Sequence, residues 1–163
     1  MNIKNLKKKI MESNRKDDID YFRFLIENEK KKISNFDIIS QIPLYQGEVS
    51  IGRYLQLYEI YKKVSKLSGD YAEFGVWKGS TFIYMAKLIK IFEPNSRNMI
   101  YGFDWFKGLS PKKNEDKKIK GKYLGNKKNL ENIIYKSNLD TVAKLININI
   151  AKKIKHYIKK NNH

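Results

Sequence analysis

The segment Gly69-Asp70-Tyr71-Ala72-Glu73-Phe74-Gly75-Val76-Trp77-Lys78-Gly79, followed later in the chain by Met99-Ile100-Tyr101-Gly102-Phe103-Asp104-Trp105-Phe106, decides the fold. Residues 71–74 are apolar-rich and β-prone, the pattern of a short buried strand. Gly75 and Gly79 flank a tight turn, where glycine lets the backbone take positive φ or approach another group closely. Over residues 80–92, Phe82, Ile83, Met85, Ala86, Leu88, Ile89 and Phe92 recur at spacings of three and four, which predicts a helix with Ser80 or Thr81 as its cap. Glu93-Pro94-Asn95-Ser96 stops it. Residues 99–103 read as a second strand, with Asp104 just past its carboxyl end. Strand, helix and strand in this order make a βαβ unit, with parallel strands and a right-handed crossover.

In an α/β sheet of this kind ligands bind beyond the carboxyl ends of the strands, where glycine turns admit them. Asp104 lies 25 residues after Gly79, near the offset at which dinucleotide folds place an acid on the ribose hydroxyls. The turn is not G-x-G-x-x-G, however, and Glu73 precedes it. A carboxylate there repels a pyrophosphate and attracts a cationic amino-acid portion. S-adenosylmethionine, with an ammonium, a sulfonium and no phosphate, therefore fits better than a nicotinamide dinucleotide. The plain structural reading is that the two glycines only shape a strand-to-helix turn.

The E-F-G-V-W-x-G motif at Glu73–Gly79, the run Ile91-Phe92-Glu93-Pro94-Asn95-Ser96-Arg97 and the run Tyr101-Gly102-Phe103-Asp104-Trp105-Phe106-Lys107-Gly108 resemble the macrocin O-methyltransferase family. The similarity begins near Gly52-Arg53-Tyr54 and runs to the C-terminus. It implies a Rossmann-like class I methyltransferase fold of the α/β class, S-adenosylmethionine as methyl donor, and a sugar hydroxyl of a natural product or glycan as acceptor. The cofactor-binding set is then Glu73, Phe74, Gly75, Val76, Trp77, Gly79, Ser80, Asp104, Trp105 and Asn149. In it Glu73 meets the ligand's amino group, Asp104 the ribose and Trp105 the adenine. Asn149 matches a family position near the adenine. The family also implies a divalent metal (Mg), bound by aspartates that follow later strands. No Asp-x-Asp or Asp-Asp pair follows the third strand here, so those ligands and the catalytic base are unassigned.

Composition sets the remaining limits. The 163 residues suit one domain with a small appendage: residues 1–47 as a basic lead, helix and connector, and residues 48–163 as the N-terminal half of a methyltransferase domain. Hydrophobic residues make up 41% of the chain, enough for a core, and no cysteine is present for disulfides or thiolate metal sites. No apolar run is long enough to span a membrane and no signal peptide is recognisable, which gives a cytoplasmic expectation. The net charge of +17 raises nucleic acid as a partner, but only Arg15, Arg23, Arg53 and Arg97 carry the guanidinium that nucleic-acid readers favour. From residue 111 onward fifteen lysines face four acids. That excess keeps open an alternative from another class, a degenerate, non-catalytic methyltransferase-like module with a basic surface.

In chain order, the pattern predicts a lysine-rich lead over 1–16 and an amphipathic helix over 17–33. A connector over 35–47 is punctuated by Pro43 and Gly47, and a helix over 51–67 carries Tyr54, Leu55, Tyr58, Ile60, Tyr61, Val64 and Leu67 on its apolar face. After Asp104 a polar segment to about Gly125 resembles a lid. A helix over 126–137 turns Leu130, Ile133 and Ile134 inward, residues 143–148 form the third strand, and residues 150–160 a last helix. His156 and His163 read as surface histidines. Three strands in the order 3-2-1 are half of a methyltransferase sheet. The chain therefore reads as a truncated methyltransferase, inactive alone, whose open first-strand edge invites homo-oligomers.

Overall fold

The computed structural model describes Glu27, residues 33–109 and residues 121–161. The predicted lead over 1–16, nearly all of the helix over 17–33, the centre of the lid-like segment (110–120), the side chain of His156 and all of His163 lie outside the described residues. Where the sequence predicts a connector, two short helices form, α1 (Asn35–Ser40) and α2 (Ile42–Tyr45). The Ser34 hydroxyl caps α1 by accepting from Asp37 N at 3.0 Å. Pro43 lies in the first turn of α2, where a missing N–H breaks no helical bond. Neither helix contains a buried residue.

Helix α3 (Glu48–Val64) begins and ends three residues before the predicted span, with Glu48 in its first turn and Lys62 and Lys63 in its last, as the macrodipole favours. Its apolar face is thinner than the pattern implies. Tyr61 is buried, whereas Leu55, Ile60 and Leu67 stay exposed. The chain divides inside α3 into two compact units, Met1–Leu55 and Gln56–His163.

The second unit holds the sheet. Strands β1 (Tyr71–Phe74), β2 (Ile100–Asp104) and β3 (Ala143–Asn147) pair in parallel in the order β1-β2-β3, the predicted 3-2-1 arrangement. Helix α4 (Ser80–Phe92) connects β1 to β2, and α5 (Lys127–Lys136) precedes β3. Gly102 makes room for α4: a Cβ there would lie 2.8 Å from both Phe82 and Val76 and 3.0 Å from Leu145. Phe82, Ile89, Ile100 and Leu139 form the fully buried centre of this layer. On the opposite face Phe74 stacks on Phe103 at 5.0 Å, and Tyr157 of α6 (Ile150–Asn161) meets Phe103 edge-on at 5.5 Å. Phe74 is nevertheless 54% exposed, so the outer margin of β1 is thinly covered.

Two local expectations are corrected. Helix α4 is not capped by Ser80 or Thr81, which lie inside its first turn; its N-cap is Gly79 at φ 83°, which has no side chain to cap with, and the Thr81 hydroxyl donates to Glu73. In α5 Leu130 and Ile134 point inward, but Ile133 is 39% exposed, since it falls on the flank of the stripe those two define. Asn126 caps α5 by accepting from Asn129 N at 2.9 Å. No helix among the described residues is long and apolar enough to cross a membrane.

At the amino end of the sheet, Glu93 gathers donors. Tyr61 and Tyr71 hydroxyls donate to its Oε1 at 2.7 and 2.9 Å, and Asn98 Nδ2 donates to Oε2 at 2.7 Å. Burial pushes the Glu93 carboxyl up, but the hydrogen bonds from Tyr61, Asn98, Tyr71 and Ser96 outweigh it and hold the group below its usual range. Burial, and then the bond to Glu93, push the Tyr71 hydroxyl up to about 12. A depressed carboxylate contributes stability that is present above its unfolded value and lost as pH falls through the folded one. A raised phenol contributes stability that is lost as pH rises toward its folded value. Thermal melts should therefore show a plateau that falls off below about pH 4.5 and above about pH 10. Glu93→Gln should lower stability by about 1–3 kcal/mol at neutral pH and soften the acid limb. An unchanged acid limb in that variant would remove Glu93 from it.

Candidate functional site

The carboxyl end of β1 and β2 is tied together by hydrogen bonds. Gly75 N donates to Phe103 O at 2.8 Å, and Gly79 N closes the turn on Val76 O at 2.9 Å. Asp104, the last residue of β2 and 9% exposed, accepts from Trp77 N through Oδ2 at 2.8 Å and from Phe106 N through Oδ1 at 2.7 Å. Its main-chain oxygen accepts from Ile148 N at 2.9 Å, which brings the end of β3 to the same place. The acid at the end of β2 and the bend after β1 thus meet, as the sequence reading requires.

The bend has an unusual backbone. Gly75 and Gly79 sit at φ 89° and 83°, and Trp77 between them is at 52°, a left-handed value uncommon outside glycine. Phe106 and Tyr123 are left-handed as well, at 56° and 60°. A Cβ on Gly75 would meet nothing within 4 Å, so the backbone there is open to a ligand. A Cβ on Gly79 would instead strike Leu130 at 2.5 Å, so that glycine serves packing as well as the turn.

The predicted residues sort by where their side chains go. Glu73 ends beside the bend and accepts from the Thr81 hydroxyl at 2.6 Å. Trp77 is 40% exposed, meets Tyr123 edge-on at 5.4 Å and carries Lys78 Nζ 5.0 Å from its ring centroid. Ser80 is exposed at the first turn of α4. Val76, by contrast, is 3% exposed and belongs to the core, leaving only its main chain for any ligand. Phe74 lies on the sheet face against Phe103. Trp105 is half-buried and donates from Nε1 to Gly108 O at 2.6 Å. Asn149 accepts from Lys152 N at 3.2 Å, which makes it the cap of α6.

Sequence reasoning read Thr81 only as a helix cap and missed Tyr123 and Gly125. A Cβ on Gly125 would lie 2.5 Å from Trp77 O and 3.0 Å from Phe106, so the chain before α5 buttresses the bend through a glycine. The only sequence signal was a glycine ending the polar segment. Among the described residues no group of three or more His, Cys, Asp or Glu side chains stands together, and both oxygens of Asp104 already serve backbone donors. The divalent metal implied by the resemblance finds no ligand set among the described residues.

Comparison with known proteins gives the family and the fold. Residues 27–144 match the Macrocin-O-methyltransferase (TylF) family. Among solved structures, CalS11, a calicheamicin methyltransferase, superimposes with a TM-score of 0.65 at 18% identity, covering 98% of this chain and 61% of that one. The apo structure of CalS11, described as a TDP-rhamnose 3′-O-methyltransferase of calicheamicin biosynthesis, gives 0.59 at 18% identity, with 98% and 59% covered. The chain therefore spans about three fifths of those structures, and the likeness establishes a shared methyltransferase fold. No curated protein matches it by sequence. The extent of the family match makes the assignment direct: this chain belongs to the macrocin O-methyltransferase family.

The buttress gives an ordering that can be measured. Gly125→Ala must displace a main-chain oxygen and should cost about 1–3 kcal/mol. Gly75→Ala meets no atom and pays only for its left-handed backbone, about 1 kcal/mol. Thermal denaturation that ranks Gly75→Ala as the more damaging change would refute the packing of Gly125 on the bend.

Proposed function

We propose that the chain binds S-adenosylmethionine at the Glu73–Gly79 bend and serves O-methylation of a sugar hydroxyl, on a small natural product or a glycan. The observation that carries this reading is the bend itself. Gly75 leaves its backbone approachable, Glu73 presents a carboxylate oriented by Thr81, and the end of β2 is fastened to the same turn. Glu73 would receive the ligand's ammonium. The exposed part of Trp77 and the half-buried Trp105 offer apolar walls for an adenosyl group, with Ser80 and Asn149 at the margins. The family assignment and the sugar O-methyltransferase named in the CalS11 structure support the acceptor class.

The donor's contribution is a methyl group on a sulfonium: the acceptor oxygen bonds to the methyl carbon as the carbon–sulfur bond breaks, its electron pair neutralises the sulfur, and the hydroxyl proton passes to a base. The described residues serve positioning, which supplies much of the acceleration in such displacements. No residue is assigned as that base, and we propose that the chain by itself binds the donor without turning over. A second copy pairing on the outer edge of β1 belongs to this reading, supported by the exposure of Phe74. Sedimentation velocity should then show a dimer that Phe74→Lys returns to monomer. A wild-type chain that stays monomeric at tens of micromolar would remove self-association.

A basic binding module is the second reading, favoured by Lys152, Lys153, Lys155, Lys159 and Lys160 along α6. Titration calorimetry with S-adenosylhomocysteine separates the two. The pocket reading expects saturable one-to-one binding that changes less than about threefold between about 50 and 200 mM salt, whereas a polyanion site loses orders of magnitude over that range. Absence of S-adenosylhomocysteine binding, with steeply salt-dependent binding of an oligonucleotide, would transfer the assignment to the second reading.

A further inference from the structure

We infer that Thr81 is a positioning residue for the donor's amino-acid portion: its hydroxyl holds the Glu73 carboxylate in the direction from which it meets the ammonium. The inference rests on the reading of the bend proposed above and adds to it a residue that acts through Glu73. Burial along β1 alternates, so Glu73 shares its face with Tyr71, which packs on the core that α4 covers. A half-buried acid on that face needs a donor. Gly102, which pairs with Glu73 across the ladder, lets α4 lie close, since a Cβ there would come within 2.8 Å of Phe82. Thr81, the neighbour of Phe82 in the first turn of α4, is thereby carried to Glu73, and its Oγ1 donates to Oε1 at 2.6 Å. The capping position belongs to Gly79, so this hydroxyl serves a contact between elements and not the helix end.

A glutamate side chain has rotamer freedom that a ligand must otherwise remove when it binds. Threonine is suited to removing it beforehand. Its β-branch makes it stiff at χ1, and a hydroxyl donating to an ionised carboxylate makes a short, strong bond. One donor on Oε1 leaves lone pairs on both oxygens, so the carboxylate held by Thr81 still accepts an ammonium. The start of α4 adds favourable polarity for the negative charge. In S-adenosylhomocysteine the ammonium is the single cation, and 5′-methylthioadenosine lacks it together with the rest of the amino-acid portion. A hydroxyl that only supports the fold weakens both ligands alike when removed, whereas a hydroxyl that positions Glu73 weakens only the ligand with the ammonium.

The test is titration calorimetry of the full chain with both ligands, well below each variant's thermal midpoint. Wild type should bind S-adenosylhomocysteine more tightly than 5′-methylthioadenosine. Thr81→Val, nearly the same shape without the hydroxyl, should raise the Kd for S-adenosylhomocysteine about five- to tenfold and change that for 5′-methylthioadenosine less than about twofold. Thr81→Ser keeps the hydroxyl and should recover most of the loss. Glu73→Gln should erase the preference, and adding Thr81→Val to it should cost less than about twofold more. Equal weakening of the two ligands in Thr81→Val, or no weakening of either, would overturn the inference and leave the pocket reading standing. A loss that persists in the Glu73→Gln background would overturn it in favour of a direct contact between Thr81 and the ligand. Should Thr81→Val not fold, Thr81→Ala is measured in the same way. A wild-type chain that binds the two ligands equally well overturns the role of Glu73 and this inference with it, and one that binds neither overturns the pocket reading itself.

Discussion

The carboxyl end of this sheet depends on one carboxylate accepting two main-chain hydrogens. Trp77 and Phe106 sit in left-handed conformations that cost about 1–3 kcal/mol each for residues with a side chain. A hydrogen bond to an ionised group returns about 1.5–3 kcal/mol, so two of them offset two strained turns and leave little over. The near balance is informative. The turns are not favourable in themselves, and they persist because Asp104, Gly125 and the packing of Val76 and Phe106 over-determine them. Such strain persists only where the surroundings hold it, and here it lies beside Gly75, one of the glycines whose added Cβ would meet nothing within 4 Å.

The sheet above this end is unevenly covered. Parallel sheets are stable when both faces are buried, because their crossovers place helices on each side. One face meets that requirement: Gly102 lets Phe82 and Val76 sit against the strand, and Ile89 and Leu139 fill the layer beneath. On the other, Phe74 and Tyr157 lie on the buried Phe103, and Phe74 is itself more than half exposed. Strand β1 has an apolar margin of the kind usually found in the middle of a sheet. Its burial alternates between half-buried and exposed residues, as an edge strand's does. The rule that dictates the sequence of β1 is therefore only half satisfied among the described residues. The same strand that leads into the Gly75 bend also carries the unsatisfied surface.

Much of this was legible in the sequence because it is local. β1 and α4 occupy the residues their patterns predict, since a strand closed by glycine and a helix stopped by Glu93-Pro94 leave little freedom of register. The acid at the end of β2 and its partnership with the bend were legible from spacing. What escaped was set by distant contacts. Thr81 lies inside the first turn of α4 and donates to Glu73, and the role of Gly125 exists only because Trp77 O passes within contact of it. The bonding of Asp104 could not be read from a motif that records an acid at a strand end, because the backbone angles of Trp77 and Phe106 are written nowhere in the local pattern. The α1 and α2 helices were missed for the opposite reason. Pro43 and Gly47 punctuate the segment, but both fall where short helices tolerate them.

Two hydrogen-bonded acids, the half-buried Glu93 and the buried Asp104, stand at the two ends of β1 and β2, and they are satisfied in different ways. Glu93 stands at the C-terminus of α4, where the partial negative charge of the helix opposes a carboxylate. It is tolerated there because the side chains of Tyr61, Tyr71, Asn98 and Ser96 surround it with donors, which consumes its hydrogen-bonding capacity and seals that end. Asp104 lies at the other end, where α4 begins and its first N–H groups give the opposite polarity. There the donors are main-chain groups of turns rather than side chains from neighbouring elements, so satisfying the acid leaves the side chains of those turns pointing elsewhere. Trp77 accordingly stays 40% exposed while its N–H is spent inside. An end closed with side chains has no groups left to offer, whereas an end closed with backbone keeps a surface of side chains and a bare glycine for something else to meet.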